Sequence, residues 1–256
     1  MLRAHVPAFT LLETLVVISI VSVLMAVLIP ALGSARGKIK TLECSSNMRS
    51  VATEFALFAE DRSDLGRGDS EKLGRNQFWI NDFQDSLYSI DEYWDEGPRT
   101  HAKVTPHDGL MLCPAGPPEL VKRRGFPCSM SALGPAENVS LAVNMRLYRA
   151  VIKFKGRKVL APAAATHVRA RILHHPYVPL IMDVDGETAA RRGLEPFYIA
   201  PPVASRDDPY AKGRYWVPSM RHDGKTNVAF VGGHVLSSAD PAAERWDWSY
   251  QAGLGQ

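Results

Sequence analysis

The hydrophobic pattern near the amino terminus is one long apolar run. No charged residue occurs between Thr14 and Ala35, and residues 15–29 read LVVISIVSVLMAVLI. A helix rises about 1.5 Å per residue, so roughly 20 apolar residues span the hydrocarbon core of a bilayer. The run therefore predicts a membrane-spanning helix.

A second pattern follows, in which apolar residues recur at steps of four and three. This spacing places them on one face of a helix. The stripe consists of Cys44, Met48, Val51, Phe55 and Phe58. We expect an amphipathic second half of the same helix, over roughly residues 35–61, with its apolar face on a soluble domain.

The remainder of the chain contains short strand-like runs separated by turn residues. The runs cover residues 110–112, 139–143, 151–154, 178–184, 216–217, 228–231 and 235–236. No helical pattern of 10 to 15 residues separates successive runs, which favours an antiparallel sheet. The predicted fold class is α+β: one long helix packed on an antiparallel sheet, with no second soluble domain. Aromatic residues among acids at 78–94 predict a packed irregular segment or a short helix.

Length and charge set further bounds. A chain of 256 residues accommodates one soluble domain and an anchor, and a net charge of +3 does not by itself indicate a nucleic-acid partner. Basic residues do cluster near the middle of the chain, at Lys122-Arg123-Arg124, Arg146, Arg149, Lys153, Lys155, Arg157 and Lys158. They alternate with apolar residues as solvent-facing strand positions do, so nucleic-acid binding is not expected.

The apolar run is either removed with a cleaved secretory signal or retained in the mature protein. Small residues after it, among them Ala31, Gly33 and Ala35, would suit cleavage of an ordinary secretory signal. Glu13 argues against cleavage of an ordinary signal. It places a carboxylate at the start of the apolar run, where a charge is costly in the membrane, and a signal that is removed would have no use for it.

The residues around Glu13 carry a family resemblance. Residues 8–13 read AFTLLE and precede the apolar helix, and this resembles the amino-terminal signal of type IV pilins and type II secretion pseudopilins. The resemblance implies cleavage between Ala8 and Phe9 by prepilin peptidase, N-methylation of Phe9, and retention of the helix. Alanine stands at position 8, where the family usually has glycine.

The resemblance also assigns an assembly role to two residues. In the mature chain Glu13 would lie four residues after the new amino terminus, where its carboxylate can neutralise the terminal amine of a neighbouring subunit. Pro30 matches a proline of the family and would bend or locally melt the helix, although a simple helix terminator is the alternative. The expected organisation is a leader over residues 1–8, a transmembrane and filament-core helix over 9–35, and a periplasmic pilin-like domain over 36–256.

The carboxyl-terminal region adds a second resemblance. Asp223-Gly224 and Gly232-Gly233 are turn signals around an alternating strand, which predicts hairpins. The segment resembles a signature of a large pilin-like family, a histidine followed by Asp-Gly. His222 and Gly233 match, but Gly232 occupies the aspartate position, so a pairing of His222 with that carboxylate is not expected. Shorter matches occur at Cys44, Asn47-Met48-Arg49, Cys113-Pro114, Val143-Asn144 and Met182-Asp183.

Cysteine and acidic residues leave several possibilities. The family pattern favours a disulfide between Cys44 and Cys113, with Cys113–Cys128 as a local rival, and spacing decides neither. The three cysteines lack the paired spacing of a zinc site. Asp183 and Asp185, before Gly186, could hold calcium in a loop, although the calcium-loop pattern is incomplete. No cofactor is otherwise expected.

No phosphate loop, nucleophile elbow or catalytic carboxylate pair stands out, so the chain is not expected to be an enzyme. The resemblance implies a structural subunit, a pseudopilin or minor pilin, in the bacterial inner membrane. Its partners would be prepilin peptidase, other pilin or pseudopilin subunits and an inner-membrane assembly platform. The alternative is a membrane-anchored periplasmic binding protein or hydrolase.

Overall fold

The computed structural model describes residues 11–64, 76–88, 103–104, 112–117, 120–124, 133–137, 139–194 and 197–254. The predictions that concern Ala8, Phe9 and Cys128 lie outside these residues. The chain divides into two compact units, Met1–Lys40 and Thr41–Gln256.

The dominant element of the amino-terminal unit is helix α1 (Leu11–Asp64), which continues into the second unit. Its apolar side chains are exposed, from Leu11 at 90% to Leu32 at 54%. With a mean hydropathy of 2.9 over its most apolar stretch, the helix is long and apolar enough to cross a membrane. It runs unbroken through Pro30, so this proline does not terminate the helix.

The later half of α1 is amphipathic, as its periodicity predicts. Cys44, Met48, Val51 and Phe55 are fully buried, and Phe58 is partly buried against the same core. Phe55 makes edge-to-face contacts with Phe78 and Phe83, with ring centroids 5.9 and 5.0 Å apart.

Among the residues that the structure describes, the second unit contains three further helices and 13 strands. The helices are α2 (Ile80–Tyr88), α3 (Met145–Tyr148) and α4 (Gly186–Arg191), with 3₁₀ turns at Ala163–Ala165 and Ala170–His174. The strands are β1 (Gln77–Phe78), β2 (Lys103–Val104), β3 (Leu120–Arg124), β4 (Leu133–Glu137), β5 (Leu141–Asn144), β6 (Val151–Phe154), β7 (Arg157–Leu160), β8 (Thr166–Arg169), β9 (Pro179–Asp183), β10 (Tyr198–Ile199), β11 (Thr226–Phe230), β12 (Val235–Ser238) and β13 (Gly253–Leu254).

The central sheet has five strands in the order β10-β5-β9-β11-β12. All of its pairings are antiparallel except that of β5 with β10. Strands β9 and β11 are buried along their whole length, as expected for the middle of a covered sheet. Two three-stranded sheets and the β6–β7 hairpin complete the described strands. The α+β fold class, with a long amino-terminal helix on a largely antiparallel sheet, is confirmed.

Some local predictions are wrong. Trp216 and Val217 form no strand, and the neighbouring Pro218 makes an isolated bridge to Val184. Among the basic residues, Arg146 is not solvent-facing: it is 4% exposed and its guanidinium lies 4.6 Å from the centre of the Tyr210 ring. A buried cation over an aromatic face is a packing contact and is not available to phosphates.

Candidate functional site

Four side chains from distant parts of the chain meet in the core of the second unit. Cys44, Cys113, Asp183 and His222 place one potential ligand atom each within 4.8 Å of one another. Their residues are between 0 and 3% exposed. We refer to these four residues as the Cys-His-Asp cluster.

Regular secondary structure positions two members of the cluster. Cys44 lies on the buried face of α1, four residues before Met48. Asp183 is the last residue of β9, the middle strand of the central sheet. Helix periodicity directs the thiol into the core, and the strand end directs the carboxylate to the same place.

A tight turn positions Cys113. The backbone N–H of Gly116 donates to the Cys113 carbonyl at 2.7 Å. A Cβ atom at position 116 would lie 2.6 Å from Nη1 of Arg221 and 2.8 Å from Oγ of Ser140. Only glycine allows this close approach, which places the turn beside the sheet.

His222 opens the hairpin that leads into β11. It exchanges both backbone hydrogen bonds with Lys225, and Asp223 and Gly224 have φ angles of 52° and 73°. Two successive positive φ angles define a type I′ turn, so the Asp-Gly turn prediction is confirmed. Because β11 pairs with β9, this turn brings His222 next to Asp183.

The contacts within the cluster are short. Nε2 of His222 lies 2.9 Å from Oδ2 of Asp183 and 3.3 Å from Sγ of Cys113. Sγ of Cys44 lies 3.7 Å from both carboxylate oxygens of Asp183. The other ring nitrogen of His222, Nδ1, lies 3.1 Å from Oγ1 of Thr41.

The electrostatics reflect one imidazole shared by several acidic groups. Burial alone would lower the pKa of His222, but hydrogen bonds to Asp183 and Cys113 outweigh it and raise that pKa to about 9. Burial raises the pKa of Asp183, against the opposing hydrogen bond of His222. The hydrogen bond with Cys44, and after it that with His222, lowers the pKa of Cys113 to about 4. The hydrogen bond with Cys113, and after it burial, raises the pKa of Cys44 above its usual range.

The geometry differs from that of a nucleophilic triad. In a triad the nucleophile and the carboxylate bind opposite nitrogens of the histidine ring. Here Cys113 and Asp183 both contact Nε2, and the Cys113 residue is 1% exposed. The donor set of two thiols, an imidazole and a carboxylate is instead one that binds transition metals.

The predicted disulfide partners lie together in this cluster. Cys44 and Cys113 are both free thiols, with their sulfur atoms within 4.8 Å. A disulfide requires a sulfur–sulfur distance of about 2.05 Å. The Cys44–Cys113 bond stays a prediction, and its rival partner Cys128 lies outside the described residues.

The two acids of the predicted calcium loop have different partners. Asp183 belongs to the cluster, whereas Asp185 caps α4: its Oδ1 accepts from the Thr188 N–H at 2.9 Å and its Oδ2 from the Thr188 hydroxyl at 2.6 Å. Calcium binding by these residues stays a prediction.

Position 232, where the resembling signature has an aspartate, is sterically restricted. A Cβ atom on Gly232 would lie 2.7 Å from Cβ and 2.9 Å from the carbonyl oxygen of Pro176, which leaves no room for an aspartate. Gly233 has a φ angle of 82°, a backbone conformation that favours glycine. His222 takes its carboxylate partner from β9 instead.

The residues predicted for assembly lie on α1. Glu13 is in the first turn of the described helix and Pro30 is inside it. The cleavage residues Ala8 and Phe9 lie outside the described part of the chain.

A cleft between described residues lies elsewhere. It measures about 810 Å³ and is lined by residues including Glu60, Asn76, Arg169, Arg171 and His174. The two arginines and His174 are exposed side chains, typical of a solvated basic surface. This lining does not select a particular ligand.

The convergence of the cluster was not predicted. All four of its residues lie in the segments that resemble the pilin-like family. That resemblance was the sequence feature that could have drawn attention to them. Their spacing contained no metal motif, because each comes from a different element. No family model, curated protein or solved structure matches this chain.

Proposed function

We propose that the protein is a membrane-anchored structural subunit of a pilin-like filament, a pseudopilin or minor pilin of a type II secretion or type IV pilus-like system. The observation that supports this most directly is helix α1. Its early half is apolar and exposed, and its later half is the buried spine of an α+β domain. One unbroken helix of 54 residues thus joins a membrane segment to a folded domain.

The exposed apolar half requires an apolar environment. Its side chains from Leu15 to Ile29 are 41 to 69% exposed where they are large and hydrophobic. Burial of apolar area contributes about 25 cal/mol per Å², so lipid and neighbouring helices both stabilise such a surface. A subunit that moves from the membrane into a filament exchanges lipid contacts for contacts with neighbouring helices.

In our proposal, Glu13 makes the transfer of the subunit from the membrane into the filament specific. After cleavage between Ala8 and Phe9, its carboxylate lies one helical turn from the new amino terminus. A carboxylate and an amine that neutralise each other between subunits avoid the cost of burying either charge alone. This pairing sets the axial register of neighbouring helices.

The proposed location follows from the same reading. The helix is a single pass through the bacterial inner membrane, and the domain that follows it is periplasmic. Prepilin peptidase cleaves and methylates the chain, and an inner-membrane platform assembles it with other pilin or pseudopilin subunits.

Mass spectrometry of the amino terminus of the protein extracted from membranes tests the proposal. We expect a chain that begins at N-methylated Phe9. A chain that begins near Arg36, or one that retains Met1, would overturn it and favour a periplasmic binding protein or hydrolase.

A matched pair of variants tests the role of Glu13. Glu13→Ala should be processed at Phe9 but lost from the sheared filament fraction, whereas Glu43→Ala, at an exposed carboxylate farther along α1, should assemble normally. Equal assembly of both variants would refute the role of Glu13 in subunit pairing.

A further inference from the structure

We propose that Cys44, Cys113, Asp183 and His222 bind one structural zinc ion. This inference goes beyond the filament function and does not depend on it. The metal would join α1, the 112–117 turn, the end of β9 and the hairpin before β11 at one point in the core.

The convergence on a single nitrogen is the first argument. A ring nitrogen has either one proton or one lone pair, so it makes one good hydrogen bond. Nε2 of His222 nevertheless lies within 3.3 Å of both Asp183 and Cys113, and the Asp183 carboxylate also faces Cys44. A cation between the four atoms would contact all of them at once, whereas Nε2 can make a good hydrogen bond to only one of its two neighbours.

The distances are the second argument. With bonds of about 2.3 Å to sulfur and about 2.0–2.1 Å to nitrogen or oxygen, a tetrahedral zinc site has sulfur–nitrogen and sulfur–oxygen edges of about 3.5 Å and a nitrogen–oxygen edge of about 3.3 Å. The observed separations are 3.3 Å between Cys113 and His222, 3.7 Å between Cys44 and Asp183, and 2.9 Å between His222 and Asp183. These three edges lie within about 0.4 Å of the tetrahedral values, and the remaining pairs of ligand atoms lie within 4.8 Å of one another.

The surroundings of the ligands are the third argument. Zinc-bound histidines usually engage their second ring nitrogen in a hydrogen bond, which orients the ring. Nδ1 of His222 has such a partner in Thr41, at 3.1 Å. The Asp183 carboxylate accepts the backbone N–H of Asn227 at 3.3 Å. The two contacts hold the imidazole ring and the carboxylate in place from outside the cluster.

The donor set selects the metal. Two thiolates favour zinc over calcium and magnesium, which prefer oxygen ligands. Four protein ligands with almost no solvent exposure leave no open coordination position for a substrate. The site is therefore structural in type.

The alternative to zinc is the predicted Cys44–Cys113 disulfide, because the same two sulfur atoms cannot bind zinc as thiolates and also form a disulfide. A disulfide would join α1 to the turn and leave His222 with Asp183 alone. Zinc would include all four residues, so the two arrangements give different metal contents and thiol counts.

The experiment is metal analysis and zinc X-ray absorption on the full chain, extracted from membranes in detergent without chelator. We expect one zinc per chain, with two sulfur neighbours at about 2.3 Å and two lighter neighbours at about 2.0–2.1 Å. Absence of zinc, with or without a Cys44–Cys113 disulfide, would overturn the proposal. So would a first shell of nitrogen and oxygen only, which is the mark of adventitious surface zinc.

Two histidine variants supply the control. His222→Ala should lose the bound zinc, whereas His234→Ala, at a partly buried histidine stacked on Phe230, should retain it. Retention of zinc with two sulfur neighbours by His222→Ala would contradict the assignment. If His222→Ala does not fold, the X-ray absorption measurement on the unaltered protein still tests whether the cluster binds zinc.

Discussion

Nε2 of His222 lies 2.9 Å from Oδ2 of Asp183, and this contact joins the hairpin before β11 to the end of β9. Both side chains are at most 1% exposed. Position 232, where the resembling signature has an aspartate, is occupied by Gly232. The carboxylate partner of His222 comes from strand β9.

The carboxylate of Asp183 should be essential for stability. Removal of one partner from a buried ion pair costs about 3–5 kcal/mol, because the other is left uncompensated. We therefore expect Asp183→Asn to lower the free energy of unfolding by this amount, measured by denaturant titration of tryptophan fluorescence in the detergent-extracted chain.

Asp185→Asn is the matched control, two residues away. Asparagine caps helices about as well as aspartate, so α4 should keep its cap and the stability should hardly change. Similar losses in the two variants would show that the cluster has no special role.

Thr41 should tune metal affinity without binding the metal. Loss of the hydrogen-bond partner of a ligating histidine typically lowers metal affinity by about 10- to 100-fold. We expect this loss for Thr41→Val in competition titrations with a chromophoric chelator. Thr53→Val, at an exposed threonine whose hydroxyl donates to the Arg49 carbonyl, should bind zinc like the unaltered chain. Unchanged affinity in Thr41→Val would remove Thr41 from the site.

An aspartate at position 232 should harm the fold. In Gly232→Asp the new Cβ would meet Pro176 at less than 3.0 Å, and overpacking of this kind costs about 1–3 kcal/mol. Thermal unfolding followed by circular dichroism would detect the loss. Gly37→Ala, at a helical position with no atom within 4 Å of the added Cβ, should be neutral or stabilising. A Gly232→Asp protein as stable as the original would show that Pro176 moves freely.

The buried stripe of α1 should contribute strongly to stability. Phe55→Ala removes a fully buried ring that contacts Phe78 and Phe83, so we expect a loss of about 3–5 kcal/mol. Leu57→Ala, at a side chain that is 61% exposed, should cost far less. Equal denaturation midpoints for the two variants would contradict the helix orientation.

The elements that local patterns predicted well are those whose physics is local. The stripe from Cys44 to Phe58 determines which face of α1 is buried, because helix geometry repeats every 3.6 residues. The Asp223-Gly224 turn is likewise encoded by residues that tolerate positive φ angles. Short strands such as β8 and β10 were missed because their few residues carry no period that distinguishes them from loops.

The Cys-His-Asp cluster depended on the tertiary structure. Cys44 and Asp183 are 139 positions apart, and Cys113 and His222 are 109 apart. No spacing rule covers such separations, because their proximity depends on how α1, a turn and two sheet elements pack together. The sequence by itself determined a long apolar helical segment, an amphipathic helix and an α+β domain, since hydrophobic periodicity and turn chemistry are properties of neighbouring residues. Only the folded chain decided which polar residues share the core, since burial brings together side chains that the sequence keeps far apart.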